Sequence, residues 1–221
     1  PCNNPGEDAR LYKAVEAISD FSIALGINVP TGKDSLSMKQ KYKNEEVISP
    51  GTVIITAAGH CNDIKKVVEP VLQKNKGSIY YINISQDTYK LGGSSFGQIL
   101  NSIGTEAPTV KNASYVTNVF NTIQALILED QIAAGHDVAS GGLITTLLEM
   151  CFADTNLGAR LTLSGLNEED TVKVLFSENC SLVIQAMHDA TFENALRKNN
   201  IDFVAIGTVS NQEELLITNH K

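Results

Sequence analysis

Apolar and polar positions divide the chain into segments of different period. Between Glu7 and Leu25 the residues Leu11, Val15, Ile18, Phe21 and Leu25 recur at intervals of three and four, predicting a helix with one apolar face, ended by Gly26. Ile27–Pro30 then reads as a short extended link, because the residue before a proline avoids the helical region. Residues 40–50 are polar and charged and end in Pro50, the pattern of a linker. Val53, Ile54, Ile55 and Thr56 follow as a β-branched run that predicts a central strand, so a boundary is expected near residue 50. Asp63–Leu72 reads as a helix or turn broken by Pro70, and 101–111, with Gly104 and Pro108, as a loop.

Beyond this point strands and helices intermix. Ile79–Ile84, Ala159–Leu163, Ser181–Ala186 and Phe203–Val209 predict strands, with Glu214–Thr218 a closing edge strand or frayed end. Asn112–Leu128, Glu168–Ser177 and Ala190–Lys198 predict helices. The first is the clearest, because Val116, Val119, Phe120, Ile123, Leu126 and Ile127 keep one face apolar. Five or six strands with at least four helices after residue 50 imply an α/β (α+β) fold in which one mixed β-sheet is covered by helices.

Two polar stretches interrupt these patterns. In the first, a weakly apolar segment, Gln131–Gly135, leads into His136, Asp137 and the small residues Ala139, Ser140, Gly141 and Gly142. Leu143, Ile144, Leu147, Leu148 and Cys151 then predict a buried helix running to about Phe152. Ser140 is expected to cap its first turn, and the two glycines to leave backbone N–H groups open to an oxygen anion. Asp137 beside such a turn can hold a cation that partners the anion. The competing reading is that the glycines only permit close packing. Leu91-Gly92-Gly93-Ser94 repeats the theme in front of another apolar periodicity. In the second stretch, Lys33, Asp34, Ser35 and Ser37 offer a cationic group, hydroxyls and a carboxylate within five residues, a set suited to phosphate. It lacks the glycine spacing of a Walker loop and reads equally as an exposed turn entering an edge strand.

Composition removes several classes of function. With 17 basic and 25 acidic side chains the formal charge of the 221 residues is −8, which argues against a nucleic-acid partner. No stretch approaches the ~18 apolar residues of a membrane span, and the opening residues are not a signal peptide. Cys2, Cys61, Cys151 and Cys180 form no CxxC pair, and His60, His136, His188 and His220 show no metal spacing. A reduced, cytoplasmic protein is expected.

Specific residues also carry a resemblance. Pro5-Gly6-Glu7 with Ala9-Arg10-Leu11, Gly32-Lys33-Asp34-Ser35-Leu36-Ser37-Met38, Ser49-Pro50-Gly51-Thr52, Leu91-Gly92-Gly93-Ser94, His136-Asp137 with Gly141-Gly142-Leu143, and Leu148-Glu149-Met150 occur in this order. Together they resemble the large, single-chain phosphoribosylformylglycinamidine synthases of the aminoimidazole ribonucleotide synthetase superfamily. The resemblance implies that residues 1–50 are the tail of an N-terminal-type sheet domain and 51–221 a C-terminal-type α/β domain. It further implies an excised fragment, with the glutaminase domain beyond Lys221 and other metal ligands before Pro1. An apolar face of the first helix is then expected to be exposed.

In such an enzyme formylglycinamide ribonucleotide, glutamine and ATP give formylglycinamidine ribonucleotide, glutamate, ADP and phosphate. By resemblance Asp137 ligates magnesium at a bound nucleotide, with His136, Ser140, Gly141 and Gly142 around the nucleotide and Lys33, Asp34, Ser35 and Ser37 facing a phosphate-bearing small molecule. No catalytic residue is assigned, and the fragment alone is expected to hold neither ATP or ADP nor Mg tightly. The family commonly has Ser and Asp where this chain has Ala139 and Ser140, so a hydroxyl and a carboxylate are missing there. The alternative function is a structural, nucleotide-holding module without chemistry of its own.

Overall fold

The computed structural model describes residues 2–153 and 156–219. The chain forms two compact units, residues 1–62 and 63–221.

The smaller unit contains helix α1 (Glu7–Leu25) and an antiparallel hairpin of β1 (Lys39–Lys41) and β2 (Glu46–Ile48). Gly26 ends α1 as expected: at φ 70° its N–H reaches the Ile23 carbonyl, while Ile27 N–H reaches that of Ser22. This is the glycine-dependent pair of hydrogen bonds that satisfies otherwise unpartnered helix carbonyls. No described residue of this unit is buried, and Tyr12, Val15 and Ile23 of α1 are 56–74% exposed. The hairpin corrects the expected linker. Its polarity reflects two solvent-facing sides and cross-strand pairing, with Lys39 and Lys41 Nζ lying 3.1 and 3.7 Å from the Glu46 carboxylate. The expected strand at Val53–Thr56 is also corrected. It pairs with no strand among the described residues, and β-branched composition without a neighbour to complete the ladder makes no sheet.

The larger unit is a six-stranded mixed sheet among the described residues. Its strands are β3 (Ile79–Asn83), β4 (Ile132–Asp137), β5 (Gly158–Thr162), β6 (Ser181–Ala186), β7 (Val204–Ser210) and β8 (Leu215–Thr218), in the order β4-β6-β3-β7-β5-β8. Only the β5–β8 pair is parallel. Helices α2 (Ser95–Ile99), α3 (Ala113–Leu128), α4 (Gly142–Phe152), α5 (Thr171–Phe176) and α6 (Asp189–Lys198) complete it, giving the mixed sheet covered by helices. Asp63–Leu72 is a turn followed by irregular chain, tied to the sheet where Gln185, fully buried, exchanges bonds with the Gln73 backbone.

Alternation in β3 separates two cores. Ile79 and Tyr81 join Val183, Leu143, Leu147, Met150 and Val174 on one face; Tyr80 and Ile82 join Val119, Ile123, Leu126, Phe192 and Leu196 on the other. Because both faces are covered, β3 and β6 read as continuous apolar runs, which is why they were legible. Each such side chain contributes roughly 1.5–3 kcal/mol when buried.

Candidate functional site

The strand order decides what meets at one end of this sheet. β4 and β3 each lie antiparallel to β6, with Asp137 opposite Leu182 and Asn83 opposite Ser181. The carboxyl ends of β3 and β4 therefore flank the start of β6, and the chain leaves β4 directly into the glycine turn. Such an end collects loops and unpaired backbone groups, the usual raw material of a site.

Asp137 closes β4 with its side chain 71% exposed. His136, 20% exposed, stands between two carboxylates: Nδ1 is 3.2 Å from Asp137 Oδ1 and Nε2 is 3.1 Å from Glu149 Oε2 on α4. The Asp137 carbonyl accepts a bond from Thr146 Oγ1 at 3.1 Å, which fastens the strand end to the second turn of α4.

The turn itself differs from expectation. α4 begins at Gly142 with Gly141 as its cap residue and no side-chain cap, so Ser140 does not cap it. Gly141 and Gly142 both have positive φ, 92° and 76°, which sets the exposed Ser140 outside the first turn. A side chain at Gly141 would collide with Thr145, and a Cβ at Gly142 would stand 2.7 Å from the Leu175 carbonyl oxygen. Close packing thus requires both glycines. Their N–H groups are not open either: Gly142 N–H reaches the Ala139 carbonyl at 3.0 Å and Gly141 N–H the Glu178 carboxylate at 2.8 Å. The helix otherwise follows its periodicity, burying Leu143, Leu147 and Met150 with Cys151 half-buried.

Glu178 was not anticipated. Its Oε1 also accepts from Ser95 N–H at 2.8 Å, so one oxygen joins the glycine turn before α4 to the one before α2, where Ser94 caps Gly97 N–H. The only trace in the sequence is a polar triplet, Ser177-Glu178-Asn179, in front of a strongly apolar strand. Asn179 is fully buried, and its Nδ2 lies 3.1–3.3 Å from Ser85 Oγ and the carbonyls of Asp87 and Thr88. Asp87, equally unanticipated, is buried. Burial pushes its carboxyl up, but Lys90 at 2.9 Å, the N–H groups of Thr109 and Thr88 and the charge of Lys111 outweigh this and hold it at about 2.

In the smaller unit Lys33, Asp34, Ser35 and Ser37 lie in an exposed, irregular run. Lys33 Nζ donates to the Asp34 carbonyl at 2.7 Å and to Ser35 Oγ at 3.1 Å, which gathers three of the four; no bond of Ser37 to them is seen. Among the described residues no three His, Cys, Asp or Glu side chains converge as a metal site.

The C-terminal domain of AIR synthase related proteins matches residues 85–218, which carry every strand and helix of the larger unit named above except β3. The chain belongs to the AIR synthase-related family. Residues 1–60 match the FGAR-AT PurM_N-like domain. A probable phosphoribosylformylglycinamidine synthase, chloroplastic/mitochondrial, of Arabidopsis thaliana is 38% identical over 210 residues; the alignment covers 93% of this chain and 15% of that protein's length. Solved structures are also similar in fold. Thermotoga maritima PurL complexed with ATP has a TM-score of 0.51 at 16% identity, covering 71% of this chain and 25% of that one. The same PurL complexed with FGAR has a TM-score of 0.51 at 18% identity, covering 66% and 26%. No described helix is long and apolar enough to cross a membrane.

Proposed function

We propose that this chain is part of a phosphoribosylformylglycinamidine synthase, which uses ATP and glutamine to convert formylglycinamide ribonucleotide to formylglycinamidine ribonucleotide. The placement of Asp137 carries the reading: an exposed carboxylate at the end of β4, steadied by His136 and by Thr146, immediately before the turn into α4. Similarity to the Arabidopsis synthase over nearly the whole chain supports the reaction class.

In this reading Asp137 supplies one oxygen to magnesium, which needs an octahedron that one aspartate cannot complete. The ion would neutralise charge on nucleotide phosphates. His136 limits the carboxylate's rotation, and Ser140 presents a hydroxyl. Gly141 and Gly142 shape the turn. Lys33, with Asp34, Ser35 and Ser37, would meet a phosphate-bearing substrate, since its ammonium is exposed and bonded to residues of its own loop. Residues 1–50 would be the tail of one domain and 51–221 a second. Partners would be the remaining domains of the same polypeptide, the glutaminase among them, in the cytoplasm. Four unpaired cysteines suit a reducing compartment.

A second reading is a structural, nucleotide-holding module without chemistry of its own; with the N–H groups of Gly141 and Gly142 already engaged, nucleotide contact at this turn would rest on Asp137 in either reading. The intact enzyme separates the two. Asp137→Asn should lower ammonia-dependent turnover if the site is catalytic, and lower only stability or nucleotide retention if it is not. The 221 residues alone should neither turn over formylglycinamide ribonucleotide nor bind Mg-ATP tightly. A micromolar dissociation constant by calorimetry, lost on Asp137→Asn, would show the site complete within them.

A further inference from the structure

We infer that Glu178 is the positioning residue of this sheet end: a single carboxylate oxygen clamps the two glycine turns together and thereby holds the turn that follows Asp137. The geometry is direct. Oε1 lies 2.8 Å from both Gly141 N and Ser95 N, which are 37 and 83 residues away in sequence. The oxygen stands at the N-terminal end of α4, whose helix dipole favours a negative charge there. Bonds from backbone N–H to a charged acceptor are stronger than neutral ones.

The segment that carries the carboxylate is held from several sides. Ser177 N–H bonds the Lys173 carbonyl, closing α5, and Phe176 stacks on Phe96 of α2 with ring centroids 4.6 Å apart. Asn179, with no exposed surface, is bonded to the 85–88 loop, and Cys180 continues the tie through Ser85 N–H to its carbonyl. Ser177, Glu178 and Asn179 therefore cannot swing without breaking contacts on both faces. One consequence is chemical: with Gly141 N–H occupied by an anion of the chain itself, a second anion is repelled from that point. Phosphate contact at this turn would then run through Asp137 with a cation and through the exposed Ser140 hydroxyl, and not through the Gly141 N–H. Glu178 bonds backbone N–H groups and so acts on Asp137 by way of the turn at Gly141.

The part of this inference that concerns magnesium rests on the function proposed above; the clamp does not. The test uses the intact polypeptide that carries this chain, with Glu178→Ala, Glu178→Asp and Glu178→Gln. Residue-resolved amide exchange should find Ser95 and Gly141 protected in the wild type and both about tenfold or more faster in Glu178→Ala. Glu178→Gln, which keeps an oxygen at the same reach, should restore most of the protection at both. Glu178→Asp, one methylene shorter, should lose at least one and serves if the alanine variant does not fold. Loss at one amide alone in Glu178→Ala, or no recovery with glutamine, overturns the clamp.

The second arm measures the Mg concentration for half-maximal ATP-dependent turnover. It should rise about tenfold or more in Glu178→Ala, as for other groups that orient a metal ligand, with kcat changed far less. An unchanged Mg requirement with lost protection overturns the positioning role. A wild type with no ATP-dependent turnover would instead defeat the proposed function, leaving the exchange result to decide the clamp.

Discussion

Thr146 Oγ1 donates to the main-chain carbonyl of Asp137 at 3.1 Å, from a side chain that is 2% exposed. The bond ties the last residue of β4 to α4 across the glycine turn. Thr146→Val keeps the shape, removes the donor and leaves a carbonyl short of a partner. It should cost about 1 kcal/mol, a fall of roughly 2–4 °C in Tm, whereas Thr146→Ser should retain the bond. A valine variant as stable as the wild type would show that water replaces the hydroxyl at no cost.

Gly142 combines a left-handed backbone with contact to the segment ahead of Glu178. Gly142→Ala should cost at least roughly 1–2 kcal/mol for the conformation alone, and more because the new Cβ would stand 2.7 Å from the Leu175 carbonyl oxygen. Denaturant unfolding of the variant checks this. A midpoint equal to that of the wild type would mean that the turn relaxes freely.

Asp87 gives a pH signature. Its folded carboxyl is held at about 2, below the roughly 3.9 of an unfolded aspartate, so its charged contacts stabilise the fold fully above that higher value. The contribution is lost as pH falls towards 2. The Tm difference between wild type and Asp87→Asn should therefore be constant above about pH 5 and shrink on acidification through 4 to 2. A difference that stays constant down to pH 2 would assign the effect of Asp87→Asn to packing.

Lys33 tests the other polar stretch. In the intact enzyme Lys33→Ala should reduce kcat/KM for the phosphate-bearing substrate, and Lys33→Arg should restore part of it. Because Lys33 and Ser35 are exposed, Tm should hardly change. An unchanged kcat/KM would assign the loop to structure.

Much of the fold was legible from local period. α1 appears at Glu7–Leu25 as the spacing of its apolar residues implies, and β6 at Ser181–Ala186 as its uninterrupted apolar run implies. These elements carry their signal within their own residues. The hairpin at Lys39–Ile48 was illegible because neither face is buried, and Val53–Thr56 misled because strand propensity without a paired neighbour decides nothing. At the candidate site His136, Asp137 and the glycine pair could be picked out, as the turn from strand to helix is a short-range pattern.

Sequence by itself therefore determined which segments are helix or strand wherever apolar residues recur with a regular period, and which turn carries two glycines. Tertiary structure alone decided what those glycines do. The order β4-β6-β3 brings the start of β6 between two turns far from it in sequence, so that Glu178 takes the Gly141 N–H, which the sequence pattern leaves open, together with that of Ser95. A hydrogen bond from a side chain to a distant backbone leaves no period in the chain; it exists only once the sheet has placed donor and acceptor within 3 Å of each other.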